Sequence, residues 1–248
     1  MNILHISPYV PSVHASHAGG VCMGKELEAL RKKHNVFVLS FINDEKEEKL
    51  VEKEFKNDNK SFFVYSNTYT KGLNALSHLN KPIFFGIRSS CKFKRLLLNI
   101  VRENSIDVIH AEYTAMGQFV WIKKYFPNIK FNLVEHDVTK QSYDRYCMGS
   151  SGIKHVYQKW QSNLVNKNEE DYLKKCDQVF TLNYKDKDLL SKYYGIQNVE
   201  VITPYYGIEF DAVQNIHVEK EENSICFVGL MSRSENHEAA MRLIHIVQ

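Results

Sequence analysis

The stretch NILHISPYVPSVHASHAGG, residues 2–20, decides the fold of this chain. It begins with NILHIS, a short and mostly apolar run that is typical of a buried strand. A polar loop follows and ends in Gly19 and Gly20, after which residues 20–33 have a helical pattern. A strand that leads through glycines into a helix presents backbone N–H groups at the carboxyl edge of a sheet, where they favour an anion such as a phosphate. A flexible turn before a helix explains the same residues equally well, so both interpretations stay open here.

The same order of strand and helix continues along most of the chain. Most strand candidates are apolar without alternation, which predicts that helices cover both faces of the sheet. The repeated strand–helix–strand order therefore predicts an α/β domain with a doubly wound, Rossmann-like parallel sheet. The further strand candidates are 35–41, 61–66, 107–111, 131–136, 178–183 and 199–203, and the further helical patterns are 44–56, 92–104, 114–125, 152–175 and 185–194.

Residues 204–223 interrupt this pattern. They contain Pro204 and Gly207, show little periodicity and end in a charged patch, as an interdomain linker does. Residues 224–248 then hold a strand candidate at 224–228 and one amphipathic helical pattern. We therefore expect a first domain over 1–203, a linker over 204–223, and the first strand and helix of a truncated second α/β domain over 224–248.

Composition sets the broad class of the protein. With 248 residues, of which 44% are hydrophobic and 25% charged, the chain is typical of globular proteins that have a core. The net charge of +3 is too small to argue for nucleic acid. The five cysteines are scattered and never spaced C-x-x-C, which favours reduced thiols over disulfides or a zinc site. Neither a signal peptide nor a ~20-residue apolar span is present, so we expect a cytoplasmic protein.

The loop over residues 8–20 also excludes two kinds of site. It lacks both G-x-G-x-x-G and G-x-x-x-x-G-K-[ST], which disfavours a dinucleotide dehydrogenase and a P-loop ATPase. His14, His17 and Cys22 lie in or near this loop, but their spacing matches no standard metal site. Histidines of an exposed loop explain them better, and no metal is expected.

Polar residues follow two of the predicted strands at the point where each strand ends. In an open α/β sheet, ligands bind outside the carboxyl ends of the strands. Polar groups that end an apolar strand need partners there, either in the protein or in a ligand. Of these groups, His136 is the best functional candidate, although capping of the next helix remains the alternative. The two sets are His110, Glu112 and Tyr113, and Glu135, His136 and Asp137.

Two helical patterns invite a functional interpretation but have simpler explanations. The segment 92–103 is basic and amphipathic, and anionic lipid is a conceivable contact of its Lys92, Lys94, Arg95 and Arg102. A solvated basic face over a buried leucine stripe is the preferred interpretation. In the segment 155–176 we expect Tyr157, Trp160, Leu164 and Val165 to face the core rather than to bind a ligand.

Seven segments, in order, resemble the N-terminal part of a GT-B glycosyltransferase, closest in pattern to the large retaining family four. Each motif is weak alone, but their common order over nearly the whole chain is fairly specific. The segments are HISPYVP (5–11), Gly19-Gly20, DVIHAEY (107–113), LVEHDV (133–138), CDQVFTLNYKDKDLL (176–190), VITPYYGIEFD (201–211) and ICFVGLMSRSENHEAAMRLI (225–244).

The resemblance implies two facing Rossmann-like domains, the first for the acceptor and the second for a nucleotide sugar. It implies that Gly19 and Gly20 approach the donor diphosphate and that His136, the catalytic residue, lies beside the transferred sugar. Gly229 is implied to lie near the phosphates, where Arg233 is the one candidate for a basic clamp. The E-x(7)-E motif of the family is absent from the sequence. The 248-residue chain alone is therefore expected to be weakly active or inactive.

The activity implied is transfer of a hexose-like sugar, with retention, in the synthesis of a bacterial surface polysaccharide or glycolipid. The expected partners are a nucleotide sugar and a glycan or lipid-linked acceptor, with no cofactor, no essential metal and no nucleic acid. Peripheral contact with the inner face of the membrane and self-association through the C-terminal segment are further hypotheses. Two alternatives stay open: a non-catalytic fragment that binds an acceptor or a partner chain, and an epimerase of nucleotide sugars.

Overall fold

A sheet of seven parallel strands organises the first part of the chain. The computed structural model describes residues 1–204, 219, 221–229, 231 and 234–247. The strand order is β3-β2-β1-β4-β5-β6-β7. The strands are β1 (Asn2–Ser7), β2 (Asn35–Ile42), β3 (Ser61–Tyr65), β4 (Val108–Glu112), β5 (Lys130–Glu135), β6 (Gln178–Thr181) and β7 (Val199–Val201).

The direction in which the chain adds strands reverses between β1 and β4. Strand β1 pairs in parallel with β2 on one side and with β4 on the other, and His5 stands opposite His110 in that register. A reversal of this kind opens a crevice at the carboxyl ends of the two strands, which is where ligands of doubly wound sheets bind. The predicted fold class, a doubly wound parallel α/β sheet, is confirmed.

Helices cover both faces of this sheet, and polar residues begin most of the longer ones. The side chains of Asp44, Asn67, Ser90 and Asn183 each accept a hydrogen bond from a backbone N–H in the first turn of the helix that follows. The helices are α1 (Ala18–Arg31), α2 (Glu45–Glu54), α3 (Thr68–Leu76), α4 (Ile83–Gly86), α5 (Cys91–Asn104), α6 (Thr114–Gly117), a 3₁₀ helix (Val120–Lys124), α7 (Thr139–Met148), α8 (Gly152–Lys175), α9 (Tyr184–Tyr194) and α10 (Ser234–Val247).

Two apolar layers hold the helices to the sheet. The larger layer joins the sheet to α5, α8 and α9 through residues such as Phe93, Leu173 and Leu190. The smaller layer joins β1 and β2 to α1 and α2 and includes Ile3 of β1 and Leu27 of α1. On α5 the apolar stripe is buried whereas Lys92 and Arg95 are exposed, which confirms a solvated basic face on this helix.

The helix predictions were incomplete at four places. The segment 114–125 is not one helix, because α6 ends at Gly117 and a 3₁₀ turn follows, with Phe119 N–H donating to Met116 and Ile122 N–H to Phe119. Helices α3, α4 and α7 were not predicted. All three are short, and packing rather than a clear apolar period determines them. None of the helices in the described ranges combines the length and hydrophobicity needed to cross a bilayer.

Residues Ile208–Gln248 form a second compact unit, separate from Met1–Gly207. In the part of this unit that the structure describes, residues 234–247 are helical, as expected. Residues 224–228 have no regular secondary structure and are exposed, so the predicted strand is wrong. A strand needs neighbours for its backbone N–H and C=O groups, and the described residues of this unit offer none. Arg233 and residues 205–218 of the predicted linker lie outside the described residues.

Candidate functional site

The candidate site is built where β1, β4 and β5 end side by side. Side chains alternate along a strand, so His110 and Glu112 lie on the same face of β4, and the register brings His5 onto that face as well. His136 follows β5 directly, and helix α1 covers this face with Glu26. The predicted strand-end residues of β4 and β5 are thus brought together, and His5 and Glu26 join them without having been predicted.

Glu112 is the centre of a buried cluster of imidazoles. Its side chain is only 1% exposed. Its Oε2 lies 2.7 Å from Nε2 of His136, and its Oε1 lies 3.2 Å from Nε2 of His110 and 3.4 Å from Nε2 of His5. His110 is shared with Glu26, whose Oε1 is 2.9 Å from the same ring nitrogen. One buried carboxylate therefore touches three histidines.

The charges of this cluster stabilise one another. Burial raises the pKa of Glu112, but the adjacent imidazoles of His110, His136 and His5 outweigh it and hold that pKa well below its usual range. For His110, burial lowers the pKa, but the carboxylates of Glu26 and Glu112 outweigh it and raise the value to about 10. Glu112 is therefore ionised and His110 is protonated at neutral pH.

His136 is held in place from a second side by Tyr113. The two rings stack in parallel, with centroids 3.8 Å apart and planes inclined by 4°. Tyr113 has a φ of 68°, an unusual backbone conformation for a residue with a side chain. Its N–H donates to the carbonyl of Val134, at 2.9 Å. Backbone strain of this kind is often found at functional sites, and here it turns the phenol ring onto the imidazole.

The two predicted glycines lie at the start of α1, beside Tyr113. A Cβ on Gly19 would overlap with Oη of Tyr113, and a Cβ on Gly20 would overlap with the side chain of Ala15. The N–H of Gly20 donates to Nδ1 of His17, at 3.0 Å. Packing alone therefore requires glycine at both positions, and an approach of these residues to a diphosphate stays a prediction.

A buried cation, Arg88, supports the loop that follows β1. Its side chain is almost inaccessible, and the guanidinium lies 5.3 Å from the ring centre of Tyr9 and 4.5 Å from that of Phe84. Tyr9 in turn meets Tyr113 edge-on, with centroids 5.6 Å apart. Sequence analysis missed Arg88, because nothing in its local pattern indicates that the chain returns to the carboxyl edge there.

Glu135 does not join His136 in this cluster. Glu135 is fully buried on the opposite face of the sheet, where Thr114 donates to it. Burial and the neighbouring carboxylate of Glu169 raise its pKa well above the usual range. Glu169 accepts hydrogen bonds from the first N–H groups of α7, at Thr139 (2.8 Å) and Lys140 (3.0 Å). Glu135 thus belongs to a buried network at the start of α7, whereas Asp137 is exposed.

A cavity of about 280 Å³ opens beside the cluster. Glu112 and His136 line it from the strand ends, Cys22 and Lys25 from α1, and Pro204 from the segment after β7. A larger and more polar cleft of about 530 Å³ lies at Asn35 and Lys60, near the ends where the strands begin. The smaller cavity is the better candidate, because the ionised cluster and the strand switch point both meet there.

The cluster also has the spacing of a metal site. His5, His110 and Glu112 each place one ligand atom within 4.8 Å of the others. His110 is already paired with the carboxylates of Glu26 and Glu112, and independence of the site from metal stays a prediction. Gly229, predicted to approach phosphates, lies in the second unit, where a Cβ would be 3.2 Å from the side chain of Asn236.

The chain has the architecture of the doubly wound α/β proteins. In this class ligands generally bind at the carboxyl edge of the sheet, beside the switch point. Within that class, the family described as Glycosyltransferase Family 4 matches residues 23–209. Because the match covers most of the chain, the chain belongs to this family, and the resemblance seen in the sequence is confirmed. No curated protein sequence matches the chain.

Solved structures of GT-B glycosyltransferases share the fold at low sequence identity. Sucrose-phosphate synthase from Thermosynechococcus elongatus matches with a TM-score of 0.54 and 12% identity, over 82% of this chain and 48% of that one. Phytolacca americana UGT2, complexed with UDP-2fluoro-glucose and pterostilbene, matches with a TM-score of 0.51 and 9% identity, over 82% and 54%. The apo form of UGT2 matches with a TM-score of 0.52 and 9% identity, over 86% of this chain and 54% of that one. The chain therefore spans about half the length of the structures it matches.

Proposed function

We propose that this chain forms the acceptor-side part of a glycosyltransferase that moves a sugar from a nucleotide sugar to a glycan or lipid-linked acceptor. The observation that carries the proposal is the position of His136. It lies at the carboxyl edge of the sheet, beside a cavity, with Glu112 at one ring nitrogen and Tyr113 on its face. Family membership and a solved relative with a bound nucleotide sugar support the reaction class.

In this proposal His136 orients the sugar. The ionised carboxylate of Glu112 can only accept a hydrogen bond, so Nε2 of a neutral His136 carries the proton and Nδ1 is an acceptor. Nδ1 can then accept from a sugar hydroxyl and hold the anomeric carbon towards the acceptor. Tyr113 and Glu112 keep the ring from turning away, which preserves this orientation when no substrate is bound.

The departing diphosphate needs a positive environment. We propose that backbone N–H groups at helix N-termini, with Arg233 as a further candidate, stabilise the negative charge that develops on it without a metal. The transfer would retain the anomeric configuration, through attack on the same face of the sugar. The biological setting proposed is surface polysaccharide or glycolipid synthesis in the cytoplasm, near the inner face of the membrane.

The experiment compares three proteins: the native chain, His136→Ala and the control His34→Ala. His34 precedes β2 at the other end of the strands. Binding is measured by calorimetric titration of each protein with short glycans and with nucleotide sugars that differ in their base. Sugar transfer is measured by mass spectrometry of the products. We expect His136→Ala to weaken sugar binding or transfer at least ~10-fold, as loss of a buried hydrogen-bond partner does, and His34→Ala to change neither.

One structural fact favours a second candidate function. The cavity beside His136 is lined by residues of the first unit, and we infer as the second candidate that this unit binds an acceptor without transferring sugar. Binding of a glycan that depends on His136, with no nucleotide sugar bound by the native chain, would favour that function instead. The glycosyltransferase proposal is wrong if no nucleotide sugar is bound or consumed and no glycan binds.

A further inference from the structure

Helices α7 and α8 form a hairpin whose tip exposes large apolar side chains. Met148, at the end of α7, is 85% exposed, and Ile153, at the start of α8, is 90% exposed. Farther along α8, Trp160 is still 43% exposed, and Tyr157 is exposed to a similar degree. The prediction that Tyr157 and Trp160 face the core was therefore wrong. Exposed apolar patches of this kind usually mark an interaction site.

The tip of the hairpin comprises residues 148–160, none of which is buried. No residue of 152–160 is buried, and the buried positions of α8 begin at Gln161. At ~1.5 Å per residue, this part of the helix is roughly 13 Å long. Its inner side rests on α7, where Nδ1 of His155 lies 3.0 Å from the carbonyl oxygen of Cys147. The outer side has no comparable partner among the described residues.

The outer side of this segment is amphipathic in a specific way. On a helical wheel, its apolar residues share one face of roughly 100°, while His155 and Gln158 lie opposite, towards α7. Lys154 and Lys159 lie on either side of the apolar face, and both are exposed. The apolar residues are Ile153, Val156, Tyr157 and Trp160.

Around the tip of the hairpin the charged side chains have one sign, whereas the acidic residues of α7 and α8 lie outside residues 145–168. Residues 145–168 contain no Asp or Glu, whereas Arg145, Lys154, Lys159 and Lys167 are all basic. We propose that the tip of the α7–α8 hairpin binds the surface of an anionic lipid bilayer, with the apolar face inserted at the level of the headgroups. Trp and Tyr prefer that interface, and flanking lysines are attracted to anionic lipids.

A lipid surface fits the tip better than a protein partner does. The apolar residues are exposed along one face of the helix and the lysines border them on both sides, so a plane of anionic headgroups satisfies both groups at once. Helix α7 begins at Thr139, close to His136, so binding would hold the candidate site near the membrane. A lipid-linked acceptor would then be within reach; that last step rests on the proposed function, whereas the membrane contact does not.

The test measures vesicle binding by the 248-residue chain without any sugar donor, so it is independent of transfer. Trp121→Phe leaves Trp160 as the single tryptophan, since the sequence has two. Vesicles of phosphatidylcholine alone are compared with vesicles that contain phosphatidylglycerol, at low and high salt. We expect co-sedimentation with the anionic vesicles, weakened by salt, and a blue shift of Trp160 emission on binding.

Three variants locate the contact. Ile153→Ser with Trp160→Ser should weaken binding to anionic vesicles at least ~10-fold, and Lys154→Glu with Lys159→Glu should abolish the preference for anionic lipid. The control, Tyr125→Ser with Lys124→Glu, removes an exposed aromatic and a lysine near the start of β5 and should bind as the native chain does. Circular dichroism confirms that each variant is folded.

Three outcomes would overturn the proposal. The native chain fails to bind anionic vesicles, or it binds them equally well after the Ile153 and Trp160 changes. The third outcome is a native oligomer that Ile153→Ser with Trp160→Ser converts to a monomer in gel filtration, with no vesicle binding, because the tip would then be a protein interface.

Discussion

The carboxylate of Glu112 lies 2.7 Å from Nε2 of His136 and fixes the orientation of that imidazole. The same carboxylate neutralises His110 from its other oxygen, 3.2 Å away. The side chain that orients the candidate catalytic residue is therefore also a counter-charge of the buried cluster, beside Glu26. Stability and the chemistry of the site are coupled through one residue, so variants of the cluster should change both.

Replacement of Glu112 by Gln should destabilise the fold. The amide keeps the shape of the side chain but leaves the buried imidazoles without their central negative charge. Loss of one partner from a buried ionic cluster costs about 3 kcal/mol, so the free energy of unfolding in urea at pH 7 should fall by about that amount. Glu200→Gln, at an exposed position of β7, is the control and should stay within ~0.5 kcal/mol of the native value. Equal effects of the two changes would contradict the central role of Glu112.

His110 should make stability depend on pH above neutrality. Burial lowers its pKa, but Glu26 and Glu112 raise it to about 10, above the ordinary 6.5. The unfolded chain therefore loses this proton first, so the stabilisation is complete below about pH 6.5 and is lost as pH rises towards 10, by at most ~1.4 kcal/mol per pH unit.

The check is the free energy of unfolding between pH 6 and pH 9.5, for the native chain and for His110→Gln. The difference between the two profiles isolates this group from lysines and tyrosines that titrate in the same range. We expect the native chain to lose stability more steeply than the variant. Parallel profiles would show that His110 does not hold its proton in the folded state.

Replacement of Glu135 by Gln should stabilise the fold, in contrast to the same change at Glu112. Burial and Glu169 raise its pKa, so the folded state keeps a proton that the unfolded chain releases above about pH 4.5. Its contribution therefore becomes less favourable as pH rises from that value. Glu135→Gln should stabilise the fold at pH 8 by on the order of 1 kcal/mol and have little effect at pH 4.5. Thermal unfolding at both pH values tests this, and destabilisation at pH 8 would show that Glu135 is ionised.

The fold could be predicted from the sequence because its strands are buried on both faces. A run such as NVFVLSF is too apolar for an exposed position, and the helical patterns between the strands indicate a parallel sheet. The strand at 224–228 was predicted by the same rule and is wrong. An apolar run indicates a strand only if neighbouring strands exist to pair with it.

The candidate site could be predicted only in part, for a related reason. The sequence indicates which residues end a strand, and so it identified Glu112 and His136. It does not give the register between strands, and that register alone brings His5 beside His110. Neighbouring residues of a strand point to opposite faces of the sheet, so Glu135 and His136 are separated although they are adjacent in the sequence motif.

Gly19→Ala should disturb the site through Tyr113. The added methyl group would overlap with Oη of Tyr113, and the ring can move only by leaving its stack on His136. Overpacking of this kind costs about 1–3 kcal/mol. In the double variant with Tyr113→Phe the overlapping oxygen is gone, so much of the loss should be recovered, with a coupling of at least ~0.5 kcal/mol in urea unfolding.

Gly72→Ala is the matched control for this change. Gly72 lies inside α3, and a Cβ there would have no atom within 4 Å. Alanine in an exposed helix is favoured over glycine by up to ~1 kcal/mol, so this variant should be slightly more stable than the native chain. We expect the free energy of unfolding to fall for Gly19→Ala and to rise for Gly72→Ala, and Tyr113→Phe to restore stability only in the Gly19 variant. This result would show that Gly19 is needed for packing against the phenol. If both changes stabilise the chain, the space above Gly19 is open, and the glycine is free to serve a ligand instead.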